Sequence, residues 1–450
     1  MELFVLALFC IILLGTIAIG GSLIHALLAG LVLFWLYGIY AAKVSALDLA
    51  HMVIEGVLAA KNILMTFALI GILTAFWRAS GTIATLVTYA SQWIQPEIMV
   101  VLTFLLNCFV SFLMGSSFAT AATMGVICVT MALGMGISPW VAGGAMLSGV
   151  YFGDRCSPVS TSALLVSELT KTDMYDNIRN MFRTAWVPLI VTWVLYVGVG
   201  FWEHTGNTSA AHATSILAEA FQISWPMLLP ALAILLMGFF HVAVKKTMAV
   251  SILLSGLCAL YFQQVEIGSL LSAAVLGFHS SDGALEAIMG GGGLVSMVKV
   301  ASIVCISSSY AGIFHGTGML RRLETGIERL QVRLGSFGTL LVTSLVNSAI
   351  SCNQTLAIML THQLCEKLPL KKETLAIDLE NSVVVLAPLI PWSIAGAVPL
   401  EAVGAPLSSI PWAVYLWVLP LWQLVKAMRS EELGIRNGGG GAQLIKRRNT

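Results

Sequence analysis

Five stretches of the chain, residues 3–19, 22–42, 184–202, 224–243 and 408–427, are almost unbroken apolar sequence. Each is close to the roughly 20 residues that carry an α-helix across a hydrocarbon core. Hydrocarbon cannot satisfy open backbone groups, so a spanning chain is helical or a closed barrel. A barrel needs alternating strands of about ten residues, and none occurs. Charged residues make up 10% of the 450, against about 25% in soluble proteins. A chain so poor in charge could not coat its own surface with water-facing groups. The expected fold class is an all-α polytopic membrane protein with about 11–14 transmembrane helices. Segments 98–133, 247–281 and 338–366 read either as full crossings or as re-entrant hairpins.

Several function classes drop out. The net charge is +1 and no basic domain exists, so no nucleic-acid partner is expected; membrane lipid is. The first apolar run follows Met1-Glu2 directly, without a basic leader or a small-residue cleavage pattern, and reads as a retained helix. The eight cysteines are scattered and form no C-x-x-C, so neither a disulfide framework nor a zinc site is expected, and no cofactor. G-x-G-D, H-E-x-x-H and G-x-S-x-G are absent, which argues against an enzyme. Gly290–Gly293 lacks the Lys-Ser/Thr ending of a phosphate loop and reads as a hinge or a close helix contact.

The chain also repeats itself. Arg78-Ala79-Ser80-Gly81-Thr82-Ile83 aligns with His315-Gly316-Thr317-Gly318-Met319-Leu320 at an offset of 237. Met114-Gly115-Ser116-Ser117 answers Ile350-Ser351-Cys352-Asn353-Gln354, and Ser157-Pro158-Val159-Ser160 answers Ile390-Pro391-Trp392-Ser393. Cytoplasmic loops are enriched in Lys and Arg, and every paired loop inverts. Segment 43–61 holds Lys43 and Lys61, while 264–298 has no basic residue. Loop 82–97 has none, whereas 321–333 holds Arg321, Arg322, Arg329 and Arg333. Loop 134–138 is uncharged against Lys367, Lys371 and Lys372; 171–183 is basic and 401–410 is not. This predicts two inverted-topology repeats, an architecture of secondary transporters. Five units follow: a hairpin 1–43, repeat units 44–183 and 264–427, connecting helices 184–263, and a tail 428–450. The basic tail and the basic-free 203–222 predict both termini in the cytoplasm, in a cell (inner) membrane. A homodimer stays open.

The breaks inside apolar sequence carry the candidate chemistry. Past Gly115, residues Ser116, Thr120 and Thr123 share one helical face, suited either to close packing or to a dehydrated cation. Gly153-Asp154-Arg155-Cys156-Ser157-Pro158-Val159-Ser160-Thr161-Ser162 places two charges at membrane depth, which is costly and reads either as functional or as an Asp154–Arg155 pair that serves structure at the membrane edge. Pro158 breaks the preceding helix, and Ser157 is expected to cap a second half-helix opened by Pro158. In the second half, Asn353, Gln354 and Asn381 offer carbonyl oxygens. Glu380 reads either as a proton carrier or as an interface charge near Lys371 and Lys372. Pro388 and Pro391 rule out an intact helix there.

At these breaks the sequence resembles the NhaC family of sodium/proton antiporters. Gly153 to Ser160 is similar to its G-D-K-x-S-P-L-S, Ala387 to Ser393 to its S-P-L-I-P-W, and Leu379-Glu380-Asn381-Ser382 to its L-E-D-S. Gly115 to Gly125 resembles its G-[ST]-S-x-x-T-x-x-T-x-G helix, and Gly312 to Leu320 its G-x-x-x-x-[TS]-G-M-L turn. The resemblance implies a secondary active transporter exchanging Na+ for H+ by alternating access. Its transport residues would be Asp154, Ser157, Ser160, Thr161, Ser116, Thr120, Asn353, Gln354, Glu380 and Asn381, with Na+ at Asp154, Ser157, Thr120 and Asn353. Two departures stand out. Where the family has D-T-T-N after S-P-L-S this chain has Thr161-Ser162-Ala163-Leu164, and Asn381 replaces an Asp. Both remove an acid, leaving Asp154 and Glu380 as candidate carboxyls. They keep open a second cargo, an amino acid or small carboxylate coupled to Na+ or H+.

Overall fold

A computed structural model of the chain describes residues 2–19, 21–204, 209–240, 242–317 and 324–432. Arg321, Arg322, the Met319-Leu320 turn and the tail beyond 432, with Gly438–Gly441, lie outside the described residues. Helices α1 (Glu2–Ala18) and α2 (Leu23–Tyr40) come first, then α3 (Ala46–Ala59) and α4 (Lys61–Ala79). Helix α5 (Thr82–Trp93) leads into α6 (Pro96–Met114). The next helix is segmented into α7 (Ser117–Thr120), a π-helical turn Ala121–Gly125 and α8 (Val126–Gly134). Helices α9 (Pro139–Cys156) and α10 (Thr161–Thr170) flank the next break, followed by α11 (Met174–His204).

The connecting region holds α12 (Ser209–Ala220), α13 (Leu229–Phe239) and α14 (Val244–Tyr261). Then come α15 (Ile267–Leu276), α16 (Gly283–Met289), α17 (Gly293–Ser296) and α18 (Val298–Thr317). Helix α19 (Glu324–Ser351) is kinked at Gly335 and runs up to α20 (Gln354–Cys365). The chain finishes with α21 (Lys372–Glu380), α22 (Val383–Leu386), α23 (Ile394–Ala402) and α24 (Val414–Glu432).

Four helical stretches among the described residues are long and apolar enough to cross a bilayer: Pro96–Met114, Ser117–Gly134, Met174–Glu203 and Leu334–Ser351. Two bent pairs, at 43° between α3 and α4 and at 59° between Lys372–Leu389 and α23, raise the number to 6. Shorter apolar helices, such as Ile24–Tyr40 and Ile267–Leu276, accompany them. One face of α11 exposes Trp186, Ile190, Trp193, Val194 and Phe201. An apolar band of that kind suits lipid, not water. The chain is a multi-pass α-helical membrane protein.

Helix α9 is the axis of the core: every residue from Val141 to Cys156 is buried. Its glycines make this burial achievable. A Cβ on Gly153 would lie 2.2 Å from the Ser111 carbonyl carbon, and one on Gly149 would lie 2.6 Å from the Phe104 oxygen. Helices α6 and α9 therefore meet backbone to backbone, the small-residue packing that membrane helices use. The glycine run at 290–293 also packs closely, as its composition suggested. A Cβ on Gly293 would sit 2.4 Å from the Gly277 nitrogen, and one on Gly71 of α4 2.5 Å from the Gly293 oxygen.

Candidate functional site

Two helix breaks share one local geometry. Helix α6 stops at Gly115, whose φ of 64° is left-handed and whose Cβ, if present, would meet the Val159 backbone at 2.6 Å. Only glycine meets both demands. Ser116 is then extended (φ −147°), and its hydroxyl accepts from the Ala119 amide at 3.3 Å to start α7. Helix α19 stops at Cys352 with φ 54°, Asn353 is extended at φ −142°, and its Oδ1 accepts from the Leu356 amide at 3.3 Å to start α20. The second break of each half packs on the first. Val159 lies on Gly115, while the Ile394 amide donates to the Cys352 oxygen at 2.9 Å. The Trp392 indole donates to the Ala349 oxygen at 2.7 Å.

The expected cap at Ser157 moves by three residues. The Ser157 amide still closes α9 by donating to the Gly153 oxygen at 2.9 Å, and its hydroxyl accepts from the Val159 amide at 3.3 Å. Its side chain is thus occupied within the turn. Helix α10 is capped by Ser160, whose hydroxyl accepts from the Ala163 amide at 3.3 Å. The chain turns at Pro158-Val159 before it re-enters helix, so the cap falls after the proline, not before it.

Asp154 lies between these helix starts and is 3% exposed. The Ser160 hydroxyl donates to its Oδ1 at 3.4 Å and the Gln354 amide to its Oδ2 at 3.3 Å. The Ser162 hydroxyl donates to its backbone oxygen at 2.9 Å and lies 2.9 Å from the Ser160 hydroxyl. The Ser117 backbone at the start of α7 lies beside the carboxyl as well. Every one of these partners is neutral. The starts of α7, α10 and α20 converge on one carboxylate from different parts of the chain, and helix starts favour negative charge. Pro158, Val159 and Thr355 are exposed and Ser116, Asn353 and Gln354 half-buried, so the cradle reaches the surface beside the breaks.

The remaining predicted residues divide. Thr120 donates its hydroxyl to the Ser116 oxygen at 2.9 Å, on the helix that supplies Ser117. Asn353 caps α20 and so fixes the neighbouring Gln354. Thr161 is exposed at the first position of α10, and no hydrogen bond joins it to Asp154. Glu380 and Asn381 sit elsewhere, beside Arg155. That arginine is wholly buried and points away from Asp154. Its Nη2 donates to the Thr184 hydroxyl at 2.8 Å, to the Met181 oxygen at 3.3 Å and to Asn381 Oδ1. Its Nη1 donates to the Tyr415 hydroxyl at 3.2 Å and to Cys156 Sγ at 3.4 Å. Glu380 is wholly buried with neither carboxyl oxygen hydrogen-bonded, and Arg155 Nε and Asn381 Nδ2 are unbonded too.

Sequence reasoning had no means of finding Thr184, Met181 or Tyr415, which reach the site from α11 and α24. Tyr151, whose hydroxyl donates to the Ala395 oxygen at 2.7 Å, is a further link between the halves that no local pattern marks. No group of three His, Cys, Asp or Glu among the described residues could hold a metal ion. The donor set around Asp154 is made of hydroxyls, amides and one carboxylate, the chemistry of a proton or an alkali cation.

Residues 149–425 match the model of the Na+/H+ antiporter family. The chain is 28% identical to the Na+/H+ antiporter NhaC of Alkalihalophilus pseudofirmus, covering 84% of each chain. It is 26% identical to the malate-2H+/Na+-lactate antiporter of Bacillus subtilis, over 82% of this chain and 81% of the relative. It is 29% identical to the arginine/ornithine antiporter ArcD of Halobacterium salinarum, over 76% and 74%.

Proposed function

Because the chain belongs to the Na+/H+ antiporter family, we propose that it is a secondary antiporter in which Na+ and H+ compete for Asp154. The observation that carries this reading is the neutral cradle of Asp154, set at three helix starts beside the exposed residues Pro158, Val159 and Thr355. A buried carboxylate without a cation is costly in a low-dielectric site. Either a bound proton or a bound Na+ cancels its charge. The carrier therefore reorients loaded with one or the other, and the exchange is obligatory. Ser160 and Gln354 are the first oxygen donors available to the ion, because Gln354 can present Oε1 by turning its amide. Ser157, Thr120, Asn353 and Ser116 complete the neighbourhood by holding the half-helices in register.

Two inverted repeats, residues 44–183 and 264–427, supply the moving parts, with 1–43, 184–263 and the tail 428–450 around them. The inverted loop charges and the matched dihedral pattern at Gly115-Ser116 and Cys352-Asn353 support this division. Alternating access then comes from one half rocking against the other about the shared site. The protein acts as a transporter and not an enzyme, in the cell (inner) membrane, with both termini in the cytoplasm.

Proteoliposome flux tests the reading. Added Na+ should change the internal pH without any organic solute, and Asp154→Asn should abolish that exchange in a protein that still inserts. Wild-type exchange by Asp154→Asn would sink the assignment. A second cargo is favoured by the two relatives named as exchangers of carboxylates and of basic amino acids. Saturable uptake of a labelled amino acid or lactate with no Na+-driven pH change would select it.

A further inference from the structure

A second buried carboxyl lies outside the Asp154 cradle. Glu380 closes α21 with both oxygens unbonded and no exposure. Beside it are the two other unbonded groups of this region, Arg155 Nε and Asn381 Nδ2. Acceptors remain on one side and donors on the other. No salt bridge within 4.0 Å joins Arg155 to Glu380, yet the charges of Arg155 and Asp154 both act on Glu380.

We infer that Glu380 is a second proton-carrying group of the antiporter, with Arg155 as the tethered cation that takes the place of its proton. The inference rests on the antiport reading and goes beyond it by separating a proton site from the sodium site. A bare carboxylate with no hydrogen bond in a buried place is the state that burial penalises most. Two states remove the penalty: the protonated acid, and a carboxylate paired with a guanidinium. Arg155 is free to provide the second, because its present acceptors, Asn381 Oδ1, Thr184, Tyr415, the Met181 oxygen and Cys156, are all neutral. A carboxylate outcompetes such acceptors for a guanidinium. When the Glu380 O–H gives its proton to water, the guanidinium moves from Asn381 Oδ1 to Glu380. Reprotonation returns it to Asn381.

Coupling follows from the sign of the charges. At a pH where Asp154 is ionised before Na+ arrives, its charge opposes a second negative charge on Glu380, and Na+ bound at Asp154 lifts that opposition. Sodium binding thus expels a proton from Glu380, and a proton on Glu380 weakens sodium binding by the same factor. The other titratable groups nearby have separate partners or positions. Tyr415 and Cys156 touch the guanidinium rather than Glu380. Asp378, on the same helix, accepts from Gln423 at 2.9 Å. His362 and Cys365 lie on α20.

The test counts protons released when Na+ is added to the purified full-length protein, by calorimetry in two buffers of different ionisation enthalpy. Glu380→Gln should still bind Na+ but release at least twofold fewer protons than the wild type. Equal release would overturn the inference, and so would loss of Na+ binding in a folded Glu380→Gln protein. Should that variant fail to fold, Glu380→Asp carries the test. Its shorter carboxyl should move the pH of half-maximal release by at least half a unit with sodium affinity changed less than threefold, and an unmoved profile overturns the proposal. A wild type that binds no Na+ fails the antiport reading first and takes this inference with it.

Discussion

Arg155 and Asn381 are 226 residues apart and joined by a hydrogen bond. The family resemblance puts Lys and Asp in the corresponding motifs, G-D-K and L-E-D-S, so this chain has changed both ends of one contact. Arginine exploits the change, because its fork reaches acceptors on α11, α21 and α24 together, which a single ammonium cannot. Arg155→Lys should therefore cost about 2 kcal/mol, the scale of a lost hydrogen bond to a charged group. Asn381→Asp added to Arg155→Lys should recover at least half of that loss by restoring an ion pair. Thermal unfolding in detergent of both single variants and the double variant measures the coupling. Additive losses would show that the two positions act independently. The altered residue at 381 was legible in the sequence as a missing acid. What it touches was not, since no spacing rule relates α9 to α21.

At the scale of helices, the breaks were the most readable features and the caps the least. Gly115, Pro158 and Pro391 each mark the end of a helix for a reason visible in the residue itself: a left-handed turn or a missing amide proton. Pro388, in contrast, is accommodated inside the helical run Lys372–Leu389. The cap of α10 was misjudged at Ser157 because Ser157 and Ser160 have the same chemistry, and only the three-dimensional turn decides which one is free to cap. The glycines of α9 carried a weaker signal, for a helix rich in glycine fits both a hinge and a tight contact. The 2.2 Å approach of a Gly153 Cβ to the Ser111 backbone decides for contact. Gly153→Ala should force α6 from α9 and destabilise the protein by about 1–3 kcal/mol, the cost of overpacking. Gly198→Ala on α11, where a Cβ meets nothing within 4 Å, should leave the unfolding temperature unchanged or slightly raised. Equal behaviour of the two variants would mean that α6 and α9 are not in backbone contact in the bilayer.

For the whole molecule the question is which way each half faces. Apolar runs read the helical class of the fold directly, because only helices bury such stretches in lipid. They say nothing of direction, which comes from loop charge: basic residues stay on the cytoplasmic side of short loops. The two halves carry opposite patterns, which is the support for the proposed insertion of one half upside down relative to the other. Inversion would also explain why a left-handed stop followed by an extended capping residue occurs twice, at Gly115-Ser116 and at Cys352-Asn353. Two half-helices entering from opposite sides can then point at a common centre, with Asp154 donated by one half and Gln354 by the other. Arg179 of the first half and Ser408 of the second report the two sides, since both are exposed and fall in paired segments of opposite charge character. A membrane-impermeant thiol reagent should label Ser408→Cys in intact cells and Arg179→Cys only after permeabilisation. The wild type is an adequate background, because six of its eight cysteines are buried and Cys10 and Cys305 half-buried. Labelling of both positions from the same side would refute the inverted arrangement, and with it any account in which the two breaks exchange access to Asp154.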